Sequence, residues 1–168
     1  MKKLLVVIDF QNDFITGSLG TKEAQAIVPK VIEKINSYAK EDRVATLDTH
    51  KADYFSTQEG KNLPVRHCQK GTSGWELEKQ AQVGYAKLFE KETFGSKELA
   101  EYIAQSDYDY VELIGICTDI CVVSNALLIK AAAPEVHLLV DSSCCAGVSP
   151  EKHEAALETM RSCQVEIL

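Results

Sequence analysis

Six short apolar runs alternate with segments of helical spacing along the whole chain, and this alternation constrains the fold more than any other feature. The runs are LLVVID (4 to 9), RVATLD (43 to 48), YAKLFEK (85 to 91), YVELIGI (110 to 116), VHLLVD (136 to 141) and QVEIL (164 to 168). Each is too short for a helix and apolar at successive positions, as a strand buried on both faces must be. Between them, residues 28–41, 74–82, 96–105, 118–133 and 150–163 repeat apolar residues at helical spacing. Alternation of this kind needs crossover connections, which lay helices on both faces of a parallel sheet. The expectation is a three-layer α/β/α doubly wound fold with a mainly parallel six-stranded sheet. A chain of 168 residues buries one sizeable core, so residues 1–168 are read as one domain.

Helix punctuation agrees with these bounds. Ser96 can cap the segment that follows it, Thr118 or Asp119 the segment after Gly-Ile-Cys, and Ser149 with Pro150 the last one. Residues 49–73 lack clear periodicity and hold two of the four histidines, and a loop of that length in a compact domain is usually functional.

Composition excludes several classes of partner. The net charge is -7 and no stretch clusters Lys and Arg without acidic residues, so neither nucleic acid nor an anionic membrane is an expected partner. The apolar run after Met1 is broken at Asp9, which makes it a strand rather than a signal peptide, and no run approaches the roughly 20 apolar residues of a membrane span. A cytoplasmic location is the corresponding expectation. The cysteines Cys68, Cys117, Cys121, Cys144, Cys145 and Cys163 lie mostly in apolar runs and match neither a disulfide framework nor a standard zinc spacing.

Ligands of open parallel sheets bind at the carboxyl ends of the strands. Those ends here carry Asp9, Asp48 with His50 beyond it, Lys91, and the turn leading to Cys121. A cysteine attacks as its thiolate, which a helix N-terminus or a cationic neighbour favours. Lys91 could pair with the thiolate, Asp9 could take the thiol proton and return it to a leaving nitrogen, and the N–H groups of Cys117 and Cys121 could bind a developing oxyanion. Taken singly, Asp9 as a strand end, Lys91 as a solvated charge and Cys121 as a core residue are each ordinary. Taken together, buried charges at strand ends need a reason.

The segments VVIDFQNDF, LDTH, RHCQKGTSGWEL, FEKETFGS and GICTDICV, in this order and spacing, resemble the isochorismatase-like cysteine hydrolases, most closely their nicotinamidase-related branch. The resemblance covers essentially the whole chain. It implies Asp9, Lys91 and Cys121 as catalytic triad, and Ile116 and Cys117 as a pair joined by a cis peptide that shapes the oxyanion hole, with a cysteine in place of the family's usual small residue. It implies thiolate attack on a carboxamide, loss of ammonia and hydrolysis of a thioester. It further implies a divalent metal, zinc with iron or manganese as alternatives, held by Asp48, His50 and His67. The family's further histidine has Tyr54 near its place, and Glu59 falls where some relatives use a glutamate ligand. Phe14 matches a pocket aromatic, and homo-oligomeric assembly is the family's habit.

The chain departs from the branch in one respect that bears on substrate. A tryptophan commonly precedes the second histidine in nicotinamidases, where this chain reads NLPVRH; its only tryptophan, Trp75, follows His67 and is expected to open a helix and to pack. The expected substrate is a small amide, nicotinamide being one candidate and an N-carbamoyl or other small amide another. A noncatalytic small-molecule binder on the same fold is the alternative of a different class. His137 and His153 are read as structural or solvated.

Overall fold

The computed structural model describes residues 1–168. In chain order it contains β1 (Lys3–Ile8), α1 (Asn12–Ile15), α2 (Lys22–Asn36), β2 (Arg43–Asp48), α3 (Gln58–Asn62), β3 (Lys87–Lys91), α4 (Lys97–Ala104), β4 (Tyr110–Ile116), α5 (Val123–Ala132), β5 (His137–Ala146), α6 (Pro150–Ser162) and β6 (Glu166–Ile167). All six strands join one sheet in the order 3, 2, 1, 4, 5, 6, and every neighbouring pair is parallel. The expected doubly wound sheet is present, and it is wholly parallel.

Strand pleating sorts the core into two layers. Leu4, Val6 and Ile8 of β1 face one side, with Leu99, Ile103, Ala126, Ile129, Leu157 and Met160 from α4, α5 and α6. Leu5 and Val7 face the other, with Ala24, Val31 and Ile35 of α2 and Phe14 and Ile15 of α1. The direction of winding reverses between β1 and β4, and the crevice at that switch point is where the strand ends deliver their polar residues. No helix is long and apolar enough to cross a membrane.

Several boundaries differ from the expectation, for identifiable reasons. Helix α2 begins at Lys22, six residues before the expected start, because the Thr21 side chain accepts the Ala24 N–H and caps it there. The helix then runs through Pro29. The segment 74–82 is not a helix, and its helical content is one 3-10 turn at Lys79–Ala81. Its backbone is already engaged: the carbonyl of Trp75 accepts from Gln11 Nε2, that of Glu76 from the Asn12 N–H, and the Glu78 N–H donates to Phe10. Trp75 therefore lies in a turn. Ser96 and Ser149 cap α4 and α6 as expected. Thr118 and Asp119 do not cap: Thr118 bonds His153, and Asp119 accepts the Val148 N–H. Strand β5 continues to Ala146, five residues past the expected end, across a register shift opposite Leu113 and Gly115.

Gly115 sits at that shift with φ of 125°, and a Cβ there would lie 2.1 Å from the carbonyl oxygen of Ile8. Only glycine lets the ends of β1 and β4 approach this closely. We expect Gly115→Ala to cost at least about 3 kcal/mol, from backbone strain and overpacking together. A urea melt checks this; a loss below about 1 kcal/mol would show that the strand ends can part cheaply.

Candidate active site

Asp9 follows β1 in a left-handed conformation, φ 44°, and is fully buried. That conformation is uncommon outside glycine and asparagine, and it turns the carboxylate into the switch-point crevice. Thr46 on β2 holds it from two sides: its hydroxyl donates to Asp9 Oδ1 at 2.6 Å and accepts the Asp9 N–H at 3.1 Å. Lys91, at the end of β3, places its ammonium 2.5 Å from Asp9 Oδ2, 3.7 Å from Asp48 Oδ1 and 3.5 Å from Cys121 Sγ. Asp9 Oδ2 and Asp48 Oδ1 are buried and accept no aligned hydrogen bond, so the lysine charge is what balances them.

Cys121 lies in a π-type turn, Thr118–Val122, that leads into α5. The peptide between Ile116 and Cys117 is cis. The Cys117 carbonyl closes the turn by accepting from Ile120 and Val122 at 3.1 Å each, while its own N–H has no acceptor. Asn125 anchors the turn from α5, donating 2.8 Å to the Cys121 carbonyl and 3.2 Å to that of Phe94, and accepting the Ser96 N–H. One amide thus ties the nucleophile's turn to the loop that follows β3.

The electrostatics set a resting protonation state. Burial pushes the Cys121 thiol well above its usual pKa, and the Asp9 charge adds to that despite the nearby lysine. Burial likewise raises Asp9, outweighing the pull of Lys91. Burial alone would lower Lys91, yet Asp9, Cys121 and Asp48 together hold it above an ordinary lysine. The resting site therefore keeps a protonated thiol beside a carboxylate of raised proton affinity. The sequence suggested a thiolate stabilised by helix and lysine; desolvation overrides both until the proton moves.

Asp48, His50, Glu59 and His67 converge beside this group, with donor atoms all within 4.8 Å of one another. Asp48 Oδ2 is 2.9 Å from His50 Nε2 and 3.4 Å from His67 Nε2, and Glu59 Oε1 is 3.5 and 3.7 Å from the same nitrogens. Donors around a zinc ion with bonds of about 2.1 Å stand roughly 2.9 to 3.4 Å apart, so Asp48 and the two histidines are spaced as ligands while Glu59 must move inward to join them, and the mixed N and O set suits zinc, iron or manganese. Contacts from both histidines and the Lys91 charge outweigh burial and hold Asp48 well below the usual carboxylate range, as a ligand must be. Tyr54 supplies no ligand here: its ring packs 4.5 Å from that of His50 and its hydroxyl donates to the Leu63 carbonyl. Second contacts fix the donors, with His67 Nδ1 at 2.8 Å from the Val65 carbonyl and Gln11 clasping the Asp48 backbone through both its side-chain oxygen and nitrogen.

A cavity of about 410 Å³ joins the two groups. Cys117, Cys121 and Phe14 line it on one side and Asp48, Glu59 and His67 on another, with Leu63, Phe94 and Ile120 completing an apolar wall. Trp75 is outside it, donating from Nε1 to the Thr49 hydroxyl and packing on the core layer that carries α2.

A family model described as the isochorismatase domain matches residues 3–168. The chain belongs to the isochorismatase family. Within this family it is 30% identical to the nicotinamidase/pyrazinamidase of Mycobacterium tuberculosis (strain ATCC 25618 / H37Rv), over 99% of this chain and 98% of the relative. The pyrazinamidase of Pyrococcus horikoshii, solved in complex with zinc, is 29% identical with a TM-score of 0.82 over 100% of this chain and 99% of that one. The nicotinamidase/pyrazinamidase of Bacillus subtilis is 26% identical with a TM-score of 0.85 over 99% of both chains. The resemblance to the nicotinamidase-related branch of the isochorismatase family is thereby shown.

Of the residues named from the sequence, Asp9, Asp48 and Cys121 gather around Lys91, Asp48, His50, Glu59 and His67 form the neighbouring group, and Phe14, Cys117 and Cys121 line the cavity, with Ile116 buried behind the cis peptide. Others that build it were missed. Gln11 and Asp13 belong to the segment VVIDFQNDF: Asp13 accepts the Cys68 N–H, and a Cβ on Gly74 would strike its carboxylate at 2.2 Å, so it packs the histidine-bearing loop against α1. Thr46, Asn125, Leu63, Phe94 and His153 carried no local signal, since each acts through a partner distant in sequence.

Proposed function

We propose that this isochorismatase-family chain is a cysteine amidohydrolase of the nicotinamidase type, converting a small carboxamide, nicotinamide in the first instance, to its acid and ammonia. The observation that carries the reading is Lys91 buried among Asp9, Cys121 and Asp48, beside a cavity that Cys121 lines together with Asp48, Glu59 and His67 of the four-donor group.

Asp9 takes the Cys121 proton, and Lys91 balances the resulting thiolate. The sulfur attacks the amide carbon as the carbonyl electron pair moves onto oxygen, where the free Cys117 N–H meets it. Collapse of that adduct breaks the C–N bond while Asp9 returns its proton to nitrogen, and ammonia leaves a thioester. Water, deprotonated by Asp9, then attacks the acyl carbon and the sulfur departs. Asp48, His50, Glu59 and His67 would hold the metal, which when bound supplies a Lewis-acid contact to orient the substrate. Phe14, Leu63 and Phe94 cover the apolar part of the substrate.

The absence of Trp75 from the cavity favours keeping a second reading in view, an amide other than a pyridine carboxamide. The deciding experiment is ammonia release from nicotinamide by zinc-loaded protein, run beside a panel of N-carbamoyl and aliphatic amides. Release from nicotinamide supports the first reading, release only from others the second, and none from any refutes both.

Two results are expected in the same assays. Because Asp9 must be ionised to accept the proton and its pKa is raised, activity is lost on acidification along a limb centred above the ordinary carboxylate value of 3.8; a limb at or below it would remove Asp9 from the base's role. His67→Ala should weaken zinc retention by at least about 100-fold, read as metal bound after dialysis against a chelator. Undiminished retention would place the metal elsewhere.

A further inference from the structure

The turn that carries the nucleophile is not held by its own caps: Asn125 of α5 pins its Cys121 end, and α6 fastens its other end through Thr118. We infer that His153 is a positioning residue for the Cys121 site, acting through Thr118; the inference adds to the proposed function and rests on it only for the choice of substrate.

Thr118 is the first residue of the π-type turn and is fully buried. Its hydroxyl lies 2.8 Å from Nδ1 of His153, on the first turns of α6. An imidazole protonated on Nε2 accepts this bond from the hydroxyl and one protonated on Nδ1 donates it, so the link forms in either case. Beside it, Asp119 Oδ1 accepts the Val148 N–H at 3.0 Å. Gly147 is wedged between the two contacts: a Cβ there would stand 2.9 Å from both Asp119 Oδ1 and the His153 backbone nitrogen. Turn, glycine and helix are thus fastened within one small volume.

The consequence lies at the two ends of the turn. A π-type turn is wider than an α-turn, is rare, and is frequent at functional sites. Here Cys117 and Cys121, which flank Thr118 to Ile120, both line the substrate cavity. Asn125 pins only the Cys121 end. The Cys117 end, with its unpaired N–H, has the Thr118 to His153 bond as its nearest side-chain restraint. Loosening that bond displaces the N–H from the developing oxyanion and the sulfur from Asp9, without altering the walls that bind the rest of the substrate. A misplacement of this kind lowers the rate of the chemical step more than binding.

The test compares zinc-loaded wild type with His153→Ala, His153→Gln and His153→Asn. Asparagine offers a hydrogen-bonding atom near the position of Nδ1, whereas glutamine offers one nearer Nε2. The expected result is a kcat for nicotinamide hydrolysis lowered about tenfold or more in the Ala and Gln variants, with KM within about twofold, and substantial recovery in Asn. Thr118→Val should give the same loss, and the double variant Thr118→Val with His153→Ala no further loss. Unchanged kcat in His153→Ala overturns the inference, as does a loss that Asn fails to recover or that appears in KM alone. A second readout needs no substrate: alkylation of Cys121 by iodoacetamide, followed by mass spectrometry, should slow at least about fivefold in His153→Ala and recover in Asn. Equal alkylation rates overturn the inference. Should wild type release no ammonia from nicotinamide, the functional reading fails while the alkylation arm still decides the role of His153.

Discussion

Cys121→Ala is expected to lower ammonia release from nicotinamide by at least about 10⁴-fold while leaving the protein folded. Of the groups lining the cavity, this sulfur is the one beside the buried charges: Lys91 stands 3.5 Å from it, and its turn presents the free Cys117 N–H. The remaining machinery has nothing to activate, since a lysine balanced by Asp9 and Asp48 is held protonated and is no nucleophile. The structural cost is small. A buried thiol replaced by a methyl group leaves a void of one atom, worth about 1 kcal/mol, and Lys91 keeps both of its carboxylates. Zinc content should also be unchanged, because Cys121 is not among the four donors. Turnover retained above about 1% of wild type, with metal and fold intact, would mean that a water rather than the cysteine attacks, and the thioester route would be abandoned.

Asp9→Asn is expected to be the second most damaging change, and its effect has two separable parts. The chemical part is loss of the only carboxylate poised to accept the thiol proton. With burial holding Cys121 protonated, no group is left to take the thiol proton and hand it to the leaving nitrogen, and kcat should fall by about 10³-fold. The energetic part arises because Asp9 is fully buried and paired with Lys91 at 2.5 Å. Removing one charge leaves the ammonium with Asp48 Oδ1, 3.7 Å away, as its remaining anion, at a cost on the order of 3 kcal/mol. Asparagine keeps an oxygen for the Thr46 hydroxyl, so the strand end should retain its conformation. Denaturant melts and ammonia release, measured on one preparation, separate the parts. A large loss of rate with full stability would mean that Lys91 sheds its proton in the variant; a large loss of stability with near-normal rate would assign Asp9 a structural role alone.

Both predictions rest on residues that are legible in the sequence. Asp9, Asp48, Lys91 and the Cys121 turn stand at the ends of apolar runs, and a parallel sheet gathers such ends at one edge whatever the details of its packing. The metal donors were less legible. Asp48 and His50 are two residues apart, but His67 and Glu59 reach the group because α3 and the bridge between His50 and Gln69 fold the long loop back on itself. The segment 74–82 has helical apolar spacing but forms no helix, because its backbone hydrogen bonds are claimed by residues 10 to 12. Periodicity reports which face a segment can bury, and says nothing about a competing backbone partner sixty residues away.

The division between what sequence and structure each decide follows from the range of the forces involved. Alternating apolar runs, glycine and helix caps act over a few residues, so the chain by itself determined the parallel sheet, most helix positions and the edge at which the reactive groups meet. Only the tertiary structure decided that Cys121 rests as a thiol, that Lys91 is shared among two carboxylates and a sulfur, that Glu59 completes the donor set and that α6 braces the nucleophile's turn. Each of these depends on desolvation or on contacts between residues far apart in the chain, and such quantities exist only once the core has closed around them.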